Sequence, residues 1–299
     1  MSAIAHLPVT SSPWTPLSPC TPDCVGEPAA VVGPVRRGLR LTATVLTILA
    51  GIPLALVLCR SGTARRMRWT MLWSRLLLRA LGVRIETRRG FAFVGGPTDV
   101  RAVPDEQGPA LLVCNHVSWL DPLIMAATNR CRPLAKSEVS RWPLIGMLAT
   151  AGGALFIDRE RLSTLPRAVA DVAAALRDGD SVAAFPEGTT WCGRQMGAFR
   201  PAVFQAAIDA GVPVRPLALR FRQGEGLCTC PCYVGDDSLT ASIRRVVALR
   251  GLVAEVTAFP AVRLARPAPS PEARRTLAYT TEAYVRTALT GHERRAAAA

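Results

Sequence analysis

The chain has 299 residues, a net charge of +14 and a hydrophobic share of 49%. That length fills one full domain core and leaves residues for extensions. A strongly basic chain this rich in apolar residues suits an anionic lipid surface. No zinc-finger, RNA-binding aromatic or basic-zipper pattern accompanies the charge, so nucleic acid is not an expected partner.

Residues 1–34 are rich in Pro, Ser and Thr and show no periodicity. They read as a disordered leader whose removal leaves activity intact. They do not form a signal peptide, because the basic residues and the apolar run come only afterwards. The run 41–59 is nearly uncharged and flanked by Arg36, Arg37 and Arg40 before it and Arg60, Arg65 and Arg66 after it. It is just long enough to span a bilayer, and Gly51 and Pro53 leave a kinked or re-entrant helix open. Residues 65–81 read as a second, amphipathic helix. Arg68, Arg75 and Arg79 share one stripe, while Trp69, Leu72, Trp73, Leu76, Leu77 and Ala80 form an apolar arc. That pattern fits an interfacial anchor or a helix packed on the domain.

Residues 83–94 alternate weakly and read as one or two strands. Strands then alternate with helices: strands 110–114, 133–136, 154–158, 181–185 and 213–221, helices near 120–128, 142–150, 163–177 and 199–210. A strand near 228–234, a helix near 238–248, a strand near 252–259 and a helix near 271–289 complete the series. Repeated strand–helix units predict an α/β domain with a mostly parallel sheet flanked by helices. The expected division is a leader, 1–34; a membrane-associated helical segment, 35–82; the α/β domain, 83–290; and a flexible tail, 291–299.

The nine cysteines are scattered. Cys228, Cys230 and Cys232 alternate, which would set their thiols on one face of a strand, but no matching Cys or His set accompanies them. They read as reduced packing thiols in a cytoplasm-facing domain, and no metal site is expected.

His116 is the one histidine away from the ends, since His6 lies in the leader and His292 in the tail. It falls between strand 110–114 and the next helix, where an exposed chemical group is often placed. A neutral imidazole can take a proton from a hydroxyl near pH 7. Asp121 could reach back to Nδ1–H and hold the tautomer. Ser118 and Asp121 also fit a helix capping box, Ser118 as N-cap and Asp121 three residues inside. Three more blocks follow. Strand 154–158 ends in Asp158 and Arg159, where the arginine could grip a phosphate, or Asp158 could form a strand-end ion pair with Arg159 or a neighbour. Strand 181–185 runs into Pro186, Glu187, Gly188 and Thr189, a turn that presents a carboxylate. Val212, Pro213, Val214, Arg215 and Pro216 then open a strand rigidly.

These four blocks together resemble the glycerolipid acyltransferase family. Asn115, His116, Ser118 and Asp121 are similar to its NHxSxxD block. Gly153, Phe156, Ile157, Asp158 and Arg159 match GxxFIDR, Phe185 to Thr189 match FPEGT, and Val212 to Pro216 match its fourth block. The resemblance implies that His116 is the general base and Asp121 its orienting partner. It implies that a lysolipid hydroxyl attacks an acyl thioester directly, with acyl-CoA or acyl-carrier protein as donor substrate and no cofactor. Asn115, Ser118, Arg159, Glu187, Gly188 and Thr189 would then bind substrate. One departure is clear: Thr190 and Trp191 stand where the family often has Arg and Ser. Either Arg194 or Arg200 replaces that arginine, or the acceptor is a different lysolipid. The leading expectation is a 1-acyl-sn-glycerol-3-phosphate acyltransferase of the cell membrane making phosphatidate, its catalytic domain facing the cytoplasm. The alternatives are an acyltransferase for another lysolipid such as lyso-ornithine lipid, a thioester hydrolase, and a non-catalytic lipid-binding membrane protein. A serine hydrolase is disfavoured, because no Gly-x-Ser-x-Gly elbow is present.

Overall fold

The computed structural model describes residues 16–58, 60–91, 100–103, 108–159, 161–265 and 270–296, the last six as backbone only. Helix α1 spans Pro34–Leu58 and α2 spans Thr63–Leu81. Among the described residues, α1 alone is long and apolar enough to cross a membrane. It starts before the apolar run, because Arg37 donates to Val32 O and Arg40 donates to Val247 O and Leu249 O. The two helices pack closely where Trp73 Nε1 donates to Thr47 O at 3.0 Å. A Cβ at Gly51 would stand 2.9 Å from that same nitrogen, so glycine permits the approach. Helix α2 buries Met67, Ser74, Leu77, Leu78 and Leu81 but leaves Trp69, Leu72 and Leu76 exposed. It stops at Gly82, whose φ of 82° lets its N–H cap Arg79 O and Leu78 O.

The chain continues through β1 (Val83–Arg89), β2 (Val100–Val103), β3 (Leu111–Cys114), α3 (Asp121–Thr128), β4 (Cys131–Lys136), α4 (Ile145–Ala151), β5 (Leu155–Ile157), α5 (Leu165–Arg177) and β6 (Ser181–Ala184). It closes with α6 (Phe204–Ala210), β7 (Val214–Gln223), β8 (Gly226–Leu227), α7 (Leu239–Ala248), β9 (Leu252–Ala258), β10 (Ala261–Leu264) and α8 (Pro271–Ala296). The sheet order is β1-β9-β7-β3-β6-β4-β5. Pairings of β3 with β6 and β7, of β4 with β5 and β6, and of β1 with β9 are parallel. The expected α/β architecture is therefore present: a mixed, mostly parallel sheet flanked by helices. Strand β7 changes partner along its length. Val214 to Leu217 run parallel to β3, then Leu217 to Gln223 run antiparallel to β9.

Strand β3 is covered on both faces, which is why its four residues are all apolar. Leu112 and Cys114 join the core under α2, α3 and α7 with Leu78, Ile124 and Phe221. Leu111 and Val113 join the core under α5, α6 and α8 with Leu176, Phe204 and Val285. Because β3, β5 and β6 are parallel within one sheet, their carboxyl ends share one edge, where α/β sheets gather ligands.

Four expectations change. The strand near 228–234 is absent: β8 ends at Leu227, and residues 228–234 form turns held by Cys232 N to Thr229 O. Alternation of cysteines mimicked a strand, yet Pro231 and the turn take the backbone out of the sheet. The leader is built from Pro16 onward instead of being disordered throughout. Its backbone is tied to distant chain, with Val32 N on Ala248 O, Arg250 N on Ala30 O and Gly26 N on Thr229 Oγ1. Strand β10 has no counterpart in the sequence reading. Helix α8 runs on to Ala296, past the expected fraying after Thr290. Residues 92–94 of the expected strand lie outside the described residues.

Candidate active site

Strand β3 leaves the sheet after Cys114, and Asn115 bridges the gap it would leave. Its Nδ2 donates to Leu219 O at 2.9 Å and its Oδ1 accepts from Leu219 N at 2.7 Å. The side-chain amide thereby continues the β3–β7 ladder for one more step. The next residue, His116, is turned away from the sheet with its side chain 15% exposed. Its Nδ1 lies 2.8 Å from Asp121 Oδ2, the first residue of α3. The same oxygen accepts from Val117 N at 2.6 Å and from Ser118 N at 2.8 Å. Against an oxygen that is already an acceptor, Nδ1 is the donor, and Nε2 keeps the lone pair. The capping-box expectation is half met. Asp121 does reach back to Ser118 N, but the Ser118 hydroxyl accepts from Leu120 N at 3.3 Å. One buried carboxylate thus fixes both the loop and the imidazole.

Phe185 stacks on His116, ring centroids 4.3 Å apart and planes inclined by 21°. Glu187 turns inward, not toward the cavity. Its Oε1 accepts from His116 N at 2.8 Å and its Oε2 from Gly197 N at 2.9 Å. Burial pushes this carboxyl up to about 8, against the pull of those two N–H groups. Gly188 sits at φ 77° with its carbonyl turned to Arg159 Nη1. Burial lowers the Arg159 guanidinium, and Glu138 opposes that shift. The loop beyond Gly188 closes on the histidine from the other side. Trp191 N donates to His116 O at 2.8 Å, Tyr233 N donates to Val117 O at 3.0 Å, and the Thr190 hydroxyl donates to Tyr233 O.

A cavity of about 630 Å³ opens from His116 and runs between the α1–α2 pair and the domain. Its walls are almost all apolar, with Ile48, Leu54, Ala55, Trp73, Leu123 and Leu148 among them. Its polar lining includes Arg159, Thr189, Thr190 and Lys136. Lys136 ends β4 at the same sheet edge and pairs with Glu138 at 2.9 Å. Its signal in the sequence is a strand ending in Lys beside the other strand ends.

The structure therefore divides the expected site residues. His116, Asp121, Arg159, Gly188 and Thr189 converge on one place, Asp121 through His116. Asn115, Ser118 and Glu187, expected to bind substrate, are braces whose polar atoms are engaged by backbone groups. Arg194 and Arg200, the expected replacements for the missing arginine, are exposed and stand off the cavity lining. Asp158 accepts from Arg161 N at 3.3 Å and pairs with the Arg161 guanidinium at 3.9 Å, so the strand-end ion pair forms with a neighbour of Arg159.

The acyltransferase family profile matches residues 93–220. The lyso-ornithine lipid O-acyltransferase of Pseudomonas aeruginosa is 34% identical over 266 residues, covering 88% of this chain and 92% of that protein. The chain belongs to the acyltransferase family. The 1-acyl-sn-glycerol-3-phosphate acyltransferase of Neisseria gonorrhoeae is 33% identical over 156 residues, and there the match spans 52% of this chain and 61% of the relative's length. The crystal structure of the 1-acyl-sn-glycerophosphate acyltransferase of Thermotoga maritima superposes with a TM-score of 0.61 at 15% identity, covering 87% of this chain and 95% of that one. It shares the fold of this family member.

Proposed function

We propose that the chain is an O-acyltransferase that moves an acyl group from a thioester, acyl-CoA or acyl-carrier protein, to the hydroxyl of lyso-ornithine lipid. The observation that carries this reading is His116, held by Asp121 at 2.8 Å and opening on a deep apolar cavity. His116 Nε2 takes the proton of the acceptor hydroxyl as its oxygen attacks the thioester carbonyl. Asp121 stabilises the imidazolium that forms. Collapse of the tetrahedral intermediate expels the thiolate, which takes the proton back from His116. A positioned base contributes about 10²–10⁴ in rate, and holding hydroxyl and thioester together adds a further large factor. The apolar cavity suits the acyl chains, while Arg159 and Lys136 offer positive charge to the anionic end of a substrate.

Lyso-ornithine lipid is preferred to lysophosphatidate because the likeness to the Pseudomonas enzyme runs nearly end to end. Thr190 in place of the family's arginine supports the same choice. Lysophosphatidate is the second reading, favoured by the Neisseria relative. The exposed residues Val45, Leu46, Leu49, Leu56 and Val57 of α1, with Trp69, Leu72 and Leu76 of α2, support residues 35–82 as a membrane anchor. We assign the domain of residues 83–290 to the cytoplasmic side of the cell membrane.

The test is transfer by the purified full chain from labelled acyl-CoA, and separately acyl-carrier protein, to each lysolipid, with an arm lacking acceptor. Label is expected in ornithine lipid. Label only in phosphatidate moves the acceptor, free fatty acid without acceptor makes the chain a hydrolase, and no product in any arm overturns the enzyme reading.

A further inference from the structure

Off the cavity lining, three stretches far apart in sequence bring thiols together. The Sγ atoms of Cys20, Cys24 and Cys192 all lie within 4.8 Å of one another. Cys24 ends a short 3-10 turn, Pro22–Cys24, that Cys20 precedes by two residues, and the spacing of the two cysteines is one that zinc sites use. Cys192 precedes Gly193, whose φ of 87° makes a tight turn, and Cys192 N donates to Cys20 Sγ at 3.3 Å. Cys232 is fully buried in the turn of residues 228–234. It belongs to the same packed cluster as Cys192, and Cys20 and Cys24 pack against that cluster. Gly235 lies on the far side of the leader, where a Cβ would stand 3.3 Å from Pro22.

We propose that Cys20, Cys24, Cys192 and Cys232 bind one zinc ion as a tetrahedral four-thiolate site. Soft thiolates select zinc among common divalent ions. With Zn–S bonds of about 2.3 Å, sulfur atoms sit about 3.8 Å apart, so Cys20, Cys24 and Cys192, within 4.8 Å of one another, need only a small contraction, and Cys232 would swing in from its turn as the fourth ligand. Each bond replaces an S–H, and the protons pass to solvent. The guanidinium of Arg245, bonded to Cys230 O at 2.7 Å and Cys232 O at 3.1 Å, offsets part of the resulting negative charge. The position gives the metal a structural purpose. Cys192 adjoins Trp191, which holds His116 O, and Cys232 adjoins Tyr233, which holds Val117 O. The ion would therefore staple the leader to the two loops that clamp the histidine. Alternating Cys228, Cys230 and Cys232 concealed this set, because only one of the three belongs to it.

The full-length protein, purified in detergent after growth with added zinc, is expected to carry about one zinc per chain. Replacing zinc by Co²⁺ should give strong sulfur-to-cobalt charge-transfer bands and visible bands of a four-thiolate site. These spectra need no variant and so do not depend on one folding. Cys20→Ser, Cys24→Ser, Cys192→Ser and Cys232→Ser should each reduce bound zinc about tenfold or more, while Cys131→Ala, in the core elsewhere, keeps it. Cys24→His should restore metal with a shifted cobalt spectrum. Failure of the reduced wild type to take up zinc or cobalt would overturn the proposal, as would a disulfide among these cysteines in the reduced cytoplasmic extract. Zinc retained in full by Cys232→Ser would overturn the four-thiolate assignment.

Discussion

The two ends of the cavity are built on different physics. At the polar end, the loop from Asn115 to Asp121 is fixed by directional bonds: two from Asn115 to Leu219, three onto Asp121 Oδ2, one from His116 N to Glu187, one from Trp191 N to His116 O. At the apolar end, α1 and α2 meet the domain through Leu, Ile, Ala and Trp side chains, and part of the same helices faces outward. Directional bonds set position to fractions of an ångström and are costly to break when buried. Apolar contacts are graded and tolerate changes of shape. The chemistry is therefore expected to be brittle to single polar substitutions, and the acyl-chain end to be tunable.

The sharpest way to break the polar end is His116→Ala. Loss of the base should lower kcat about 10²–10⁴-fold, with the thermal midpoint little changed, because the ring is a partner to Asp121 and Phe185 and not a support of the backbone. Activity and thermal melts of the two proteins in detergent check it; an unaltered kcat would remove His116 from the reaction. Asp121→Asn should act on both readings at once. Its neutral carboxamide removes the charge that one oxygen now shares among three donors, so the loop loses about 1–3 kcal/mol and the imidazolium loses its counter-charge. A fall in kcat of about 10²-fold together with a lower melting midpoint is expected. A fall in only one of the two would mean that Asp121 does not couple the loop to the ring.

The apolar end should respond differently. Ala55 is 6% exposed and lines the cavity between α1 and the domain. Ala55→Phe fills part of that space and should depress transfer of long acyl chains about tenfold relative to short ones, leaving the fastest short-chain rate near that of the wild type. A chain-length series with both proteins reads this directly. An equal loss at every length would mean that the cavity does not hold the acyl chain.

The contrast also explains what the sequence could reveal. The strand–helix alternation was legible because apolar runs of the right length leave few other choices, and His116 with Asp121 was legible because their spacing closes a loop at a strand end. The roles of Asn115 and Glu187 were not, because a polar residue at a strand end reads alike whether it faces a ligand or a backbone N–H. Order in residues 16–33 was hidden for a related reason. The leader is held by backbone bonds to residues near 229 and 248, which no local composition reports. The sequence reading treats residues 1–34 as dispensable. With Pro16 on the cavity lining and Val32 buried, removal of residues 1–33 is now expected to impair the enzyme, whereas removal of 1–15 is the milder cut.

Glu187 is expected to act on stability alone, and with a clear sign. Its ordinary value is 4.5, and in the folded chain burial raises it to about 8. Between those values the folded state holds a proton that the unfolded chain has released. Stability must then fall as pH rises from about 4.5 to about 8, by at most about 1.4 kcal/mol per pH unit, and level off above. Glu187→Gln has no proton to hold, so its melting midpoint should lack this share of the slope. It also turns an amide NH2 toward one of the two backbone N–H groups, His116 N or Gly197 N, so it should melt lower than the wild type at acid pH and meet or exceed it near pH 8. Thermal melts of both proteins across this range decide the matter. Parallel curves would mean that Glu187 stays ionised in the fold, and its brace on His116 N would then be a charge-assisted bond.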